Sequence, residues 1–149
     1  MKKVVKFGGS SLASAEQFKK VGEIIRSDEG RRYVVPSAPG KRFNSDTKVT
    51  DMLYQCYALA EQGKDFDNEL KAIKERYYEI IHGLSLDLSL NEEFKTIKKN
   101  FQEKAGSDYA ASRGEYLNGI VMANYLGSLW KERGHMHMAL RLAAYVPEL

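Results

Sequence analysis

The sequence predicts an α/β chain that opens as a strand–helix–strand unit and continues as a helical layer, with a short parallel sheet. Three observations carry this expectation. An apolar run, Lys3 to Phe7, is cut by Gly8-Gly9-Ser10-Ser11, and a β-rich run, Tyr33-Val34-Val35, is cut by Pro36-Ser37. From Met52 onward, apolar residues recur at helical spacing between single glycines.

The segment between the two strands reads as a helix. Ser14 followed by Gln17 is a capping-box signature, and Phe18, Val21, Ile24 and Ile25 follow at helical spacing, with a stop near Asp28 to Gly30. Such a crossover is long enough to lay the strands parallel. Ala38 to Lys48 carries Pro, Gly, Asn, Ser and Asp, which predicts an exposed loop. Four helices are then expected. Met52, Leu53, Cys56 and Leu59 line the first, ended by Gly63; Leu70, Ile73, Tyr77 and Ile80 line the second, ended by Gly83. Asn91 is the expected cap of the third, with Phe94, Ile97 and Phe101 on its apolar side and Gly106 beyond. Leu117, Ile120, Val121 and Leu126 build the fourth, with Gly127 as its stop. Leu84 to Leu90 alternates Leu with Ser or Asp but sits between two marked helices, so it reads as a connector.

Composition narrows the class. A chain of 149 residues with 43% hydrophobic and 29% charged residues is long enough to bury a core without disulfides. Cys56 is alone, which excludes an internal disulfide or a cysteine zinc cage and fits a reducing, cytoplasmic setting. Lys2, Lys3 and Lys6 break up the first apolar residues, so no signal peptide is expected, and no run approaches the ~20 residues of a membrane span. A net charge of +3 with both signs interleaved speaks against nucleic acid as a partner.

The segment with most chemical content is Val4 to Leu12. Two glycines after a strand let backbone N–H groups approach a phosphate, and Lys6 could reach the same anion. Phosphoryl transfer needs such donors, because the protein mainly positions reactants and offsets spreading negative charge. A plain strand-to-helix turn is the structural alternative. Two phosphate motifs are excluded: Gly8-Gly9 lacks the G-x-G-x-x-G offsets, and Gly40-Lys41 has Val35 and Arg42 where a Walker loop needs Gly and Ser or Thr.

KFGGSSL, VVPSAPGK, KVTDML and SRGEYLN, in this order, resemble the aspartate kinases of the amino-acid kinase family. The resemblance covers residues 3 to 127 and implies the N-terminal portion of a three-layer α/β/α, carbamate kinase-like domain. It implies transfer of the γ-phosphoryl of ATP, with Mg2+, to the β-carboxylate of L-aspartate, in the biosynthesis of lysine, threonine and methionine. By position, Lys6 and the Gly8-Gly9-Ser10 backbone would face the ATP phosphates, Lys6 acting in catalysis. Ser37 would lie near the transferring phosphate, Thr50 would bind substrate, and Glu115 would pair with the α-ammonium of aspartate.

Each assignment has a structural rival. Ser112 to Glu115 is itself a capping-box pattern, and Ser37 and Thr50 could be turn or helix-entry residues. With the resemblance, substrate binding is the reading taken for Glu115. His82 reads as a helix-end residue, Cys56 as core, Tyr77-Tyr78 as core and partial core, and His135-x-His137 lacks a third metal ligand. The family's later strands and its glycine-rich nucleotide segment have no counterpart here, and Ser128 to Leu149 diverges. The expectation is therefore a truncated chain of two regions, 1–127 and 128–149, whose few strands favour a homo-oligomer. Alternatives to an active kinase are a fragment that binds nucleotide or aspartate weakly, and a folded remnant.

Overall fold

The computed structural model describes residues 1–132. Strands β1 (Lys3–Phe7) and β2 (Arg31–Pro36) pair in parallel, with Val5 opposite Val34 and Phe7 opposite Pro36. Helix α1 (Ala15–Arg26) is the crossover between them, preceded by a single 3-10 turn, Gly9–Leu12. Four helices follow: α2 (Val49–Glu61), α3 (Asp67–Gly83), α4 (Asn91–Gln102) and α5 (Ser107–Glu132). The helix-rich α/β architecture and its short parallel sheet are as the sequence predicts.

Alternation along β1 gives the sheet two unlike faces. Val34 and Pro36 are buried and Val5 and Phe7 half-buried beneath the helices, whereas Val4 and Lys6 share the outer face and are exposed. The helices close one core. Phe18 of α1 meets Tyr125 of α5 edge-on at 6.4 Å, and Tyr57 of α2 meets Phe101 of α4 at 5.2 Å. Tyr77 is fully enclosed and its hydroxyl donates to Gly114 O at 2.7 Å, tying α3 to α5.

Local signals and structure agree at many points. The Ser14 side chain accepts from Gln17 N, opening α1, and Gly63 takes φ +72 just beyond α2. Residues 84–90 form a connector. Four expectations need correction. Asn91 is the first helical residue of α4 rather than its cap, because its Oδ1 is engaged by the Tyr78 hydroxyl at 2.8 Å. Ile24 is exposed: the buried stripe of α1 is Phe18, Val21, Gly22 and Ile25, spaced i, i+3, i+4, i+7, and Ile24 lies beside it. Ala38, Pro39 and Gly40 of the expected exposed loop are buried, while residues 41–45 are exposed. Gly127 does not end the last helix, since α5 runs to Glu132, a glycine inside a packed helix costing only about 1 kcal/mol against alanine. The expectations for the His135-x-His137 pair and for the tail from residue 133 onward lie outside the described residues.

Candidate active site

Chain crossings between the two strand ends and two helices form a cleft of about 460 Å³. Its walls are Gly9 and Ser10 of the glycine turn, Ser37 to Lys41 after β2, Lys48 and Thr50 at the start of α2, and Glu115 of α5. A groove of about 760 Å³ between α3 and α4 is larger. It has an apolar floor of Leu70, Tyr78 and Phe94, and none of the four motif segments reaches it. The smaller cleft is the chemically distinctive one.

Its geometry follows from close backbone approaches. Ser37 N donates to Phe7 O at 3.1 Å, continuing the β1–β2 pairing to the cleft edge, and Asn118 Nδ2 donates to Ser37 O at 2.7 Å from α5. Asn118 is fully enclosed, and its Oδ1 has no donor among the described residues. Gly114 brings α5 onto this corner: a Cβ there would lie 2.7 Å from the Ala38 Cβ and 3.2 Å from Leu53. Glycine at that position sets Glu115 beside Ser37 and Thr50 on the cleft wall.

The structure removes the capping-box reading of Glu115. Helix α5 starts at Ser107, so Ser112 to Glu115 lies inside it and is no capping box. Ser112 Oγ donates instead to Tyr109 O at 2.7 Å, and the Arg113 guanidinium stacks over Tyr109 and Tyr116, each ring centroid 4.6 Å away. Glu115 is exposed and forms no ion pair or side-chain hydrogen bond among the described residues. Thr50 stands in the first turn of α2, half-buried, and Ser37 is half-buried after β2; neither hydroxyl has a partner among those residues. Three motif segments, far apart in sequence, thus present unengaged polar groups to one space.

Of the sequence-predicted residues, the cleft gathers Gly9, Ser10, Ser37, Thr50 and Glu115. Lys6 and Gly8 are outside its lining, both exposed on the chain that leads into the glycine turn. Sequence reasoning missed Lys41 and Lys48, although both end or begin the segments VVPSAPGK and KVTDML; they give the cleft two cations against the one carboxylate of Glu115. It also missed Asn118, whose place in SRGEYLN, three residues after Glu115, was the available signal.

Residues 1–138 match the model of the amino acid kinase family. The chain belongs to that family. Among relatives of this amino acid kinase chain, aspartokinase 3 of Bacillus subtilis is 46% identical over 93 residues, 62% of this chain and 20% of that protein. Aspartokinase 1 of Arabidopsis thaliana is 31% identical over 136 residues, 85% of this chain and 23% of that protein. Among solved structures, the aspartate kinase of Clostridium acetobutylicum superposes with a TM-score of 0.81 at 54% identity, over 85% of this chain and 30% of that one. Aspartokinase III of E. coli, in complex with aspartate and ADP, superposes at 0.68 and 25% identity, over 90% of this chain and 30% of that one. The chain therefore spans less than a third of the length of these relatives. Its fold is that of the aspartate kinases, and the family is one of kinases.

Proposed function

We propose that this chain is the N-terminal portion of the catalytic domain of an aspartate kinase, an enzyme that passes the γ-phosphoryl group of ATP to the β-carboxylate of L-aspartate. The observation that carries the reading is the convergence of Ser37, Thr50 and Glu115 on one cleft beside the Gly9–Ser10 turn, their side-chain oxygens all without partners among the described residues. The E. coli relative bound to aspartate and ADP is consistent with it.

In this scheme Glu115 pairs with the substrate's α-ammonium, Thr50 and Ser37 orient the acceptor, and the amides of the glycine turn face the phosphates. Lys6 offsets the charge on the transferring group, its exposed ammonium swinging from the outer sheet face to the ligand. Support for backbone contact at Gly8 is steric. A Cβ there would meet nothing within 4 Å and its φ is −75, so neither fold nor conformation demands glycine, while an approaching phosphate would. No group of three or more His, Cys, Asp or Glu side chains converges among the described residues. Mg2+, when bound with ATP, would supply charge neutralisation at the phosphates.

Two settings complete the proposal. Among the described residues each strand has one unpaired edge, which self-association would cover; sedimentation at a stable monomer mass would count against a homo-oligomer. The free, buried Cys56 suits a cytoplasmic site of action, in lysine, threonine and methionine biosynthesis. No described helix is long and apolar enough to cross a membrane. Coupled ADP release with L-aspartate tests the activity. A second reading is a binding fragment without turnover. Calorimetric binding of aspartate or ADP without ADP release would select it, and no binding at all would leave a folded remnant.

A further inference from the structure

Arg76 of α3 is only 4% exposed, an unusual place for a guanidinium, and it points at the loop between β2 and α2. Its Nη2 donates to Gly40 O at 2.7 Å and its Nη1 to Thr47 O at 2.8 Å. Asp46 Oδ2 lies 3.6 Å from Nη1 and balances the buried charge, while Arg42 grips the same carboxylate from the solvent side at 2.7 Å. Below, Val49 N closes the loop's neck on Pro39 O at 3.0 Å. The two carbonyls that Arg76 holds belong to the peptide units entering Lys41 and Lys48. Each unit is planar, so fixing its C=O also fixes the N–H and Cα that follow.

We propose that Arg76 is the positioning residue of the cleft: it holds the 40–41 and 47–48 peptide planes so that Lys41 and Lys48, both on the cleft wall, act together on an anionic ligand. The fork is required because two carbonyls seven residues apart are met by two different nitrogens of one rigid plane. A lysine at 76 offers a single point of contact. The ligand part of this inference rests on the aspartate kinase reading, in which aspartate or ADP is the anion; the positioning part does not.

Amide exchange over residues 38–50 and calorimetry with L-aspartate and with ADP test it together. Arg76→Lys is expected to speed exchange in that segment about ten-fold, the loss of one hydrogen bond from a charged donor, while the other helices keep their protection. Ile97→Val in the α4 core is the control: it lowers overall stability and leaves the loop's exchange in step with the rest. Loop exchange unchanged in Arg76→Lys, or raised there only in step with the other helices as in Ile97→Val, overturns the proposal. In the binding arm, Arg76→Lys should weaken ligand about ten-fold in the natural chain and have no added effect in Lys41→Met/Lys48→Met. Additive losses would overturn action through the lysines. A natural chain that binds neither ligand overturns the aspartate kinase reading instead, and the exchange comparison then decides the role of Arg76.

Discussion

Gly40 and Gly9 lie back to back: Gly40 N donates to Gly9 O at 2.8 Å, and a Cβ on Gly40 would lie 2.6 Å from the Gly9 carbonyl carbon. This contact joins the glycine turn after β1 to the loop after β2. No real Cβ tolerates such a distance, and the obstructing atoms are backbone, so the turn itself must move to admit one.

Gly40→Ala is therefore expected to cost about 1–3 kcal/mol, as overpacking does, and to abolish nucleotide binding with it. Gly8→Ala is the contrasting variant. Open space surrounds that position, so stability should stay within about 0.5 kcal/mol while nucleotide affinity falls. Urea unfolding and ADP calorimetry on both variants separate the effects. Full ADP affinity in Gly8→Ala would remove the glycine turn from the phosphate site.

Glu115 offers a sharper separation of fold from ligand. It is exposed and forms no internal ion pair among the described residues, so Glu115→Gln should unfold at the same urea concentration as the natural chain. If it meets the substrate's ammonium, aspartate affinity should fall at least about ten-fold, in line with a charged hydrogen bond. ADP affinity should change little. An unaltered aspartate isotherm would leave Glu115 as a surface residue.

Much of this was legible in the sequence because the governing signals are local. The Val and Phe of β1, the Ser14 cap and the glycines after α2 and α4 each act within a few residues of themselves. The errors have equally definite causes. The first turns of α5, Ser107 to Ser112, hold small and polar residues with little apolar period, so the helix seemed to begin where Ser112 resembled a cap. Gly127 resembled a stop because the sequence does not reveal that tertiary packing carries α5 through it. Arg76 stands among Lys74, Glu75 and Glu79 of α3, and nothing local distinguishes it from them. Its partners are carbonyls 29 and 36 residues away, and long-range backbone acceptors leave no mark on periodicity. For the cleft, spacing supplied only the glycine turn; the family motifs supplied Ser37, Thr50 and Glu115; the cleft lysines came from coordinates.

The Tyr77 hydroxyl is a buried polar link between α3 and α5, donating to Gly114 O one residue before Glu115. Burial pushes this phenol's pKa up, so it remains a donor in moderate alkali. Tyr77→Phe should cost about 1 kcal/mol, the net worth of a neutral hydrogen bond, without a change of slope in urea unfolding. Identical midpoints for the two proteins would show that the bond contributes nothing.

Asp46 sets the acid limb of stability. The hydrogen-bonded Arg42 guanidinium, with help from backbone N–H groups and Arg76, holds its carboxyl well below the usual value of about 3.9. A depressed folded value means that the unfolded chain takes up the proton first. The stabilisation is whole above about pH 5 and is lost as pH falls through 4 toward the folded value. Asp46→Asn should be less stable at neutral pH by about 3 kcal/mol, because Arg76 loses its buried counter-charge, and should show a flatter acid limb. Parallel pH profiles for the two proteins would place the acid sensitivity elsewhere.

Cys56 reports on the same core from the alkaline side. Burial, aided by the negative charges of Glu69 and Asp67, pushes its thiol up to about 12, against about 8.5 in an unfolded chain. The thiolate is the reactive form, so a disulfide reagent at pH 8 should leave the folded protein unmodified and label it only through unfolding. Labelling rates should then rise with urea in step with the unfolding equilibrium. The same shift has a stability consequence with a fixed sign. Above about pH 8.5 the unfolded chain releases a proton that the folded one retains, so stability declines as pH rises toward the folded value. Cys56→Ala should lose that part of the alkaline decline while being less stable at pH 7, since the enclosed sulfur leaves a small void. Rapid labelling of the native protein, independent of urea, would mean that α2 opens at this position without global unfolding.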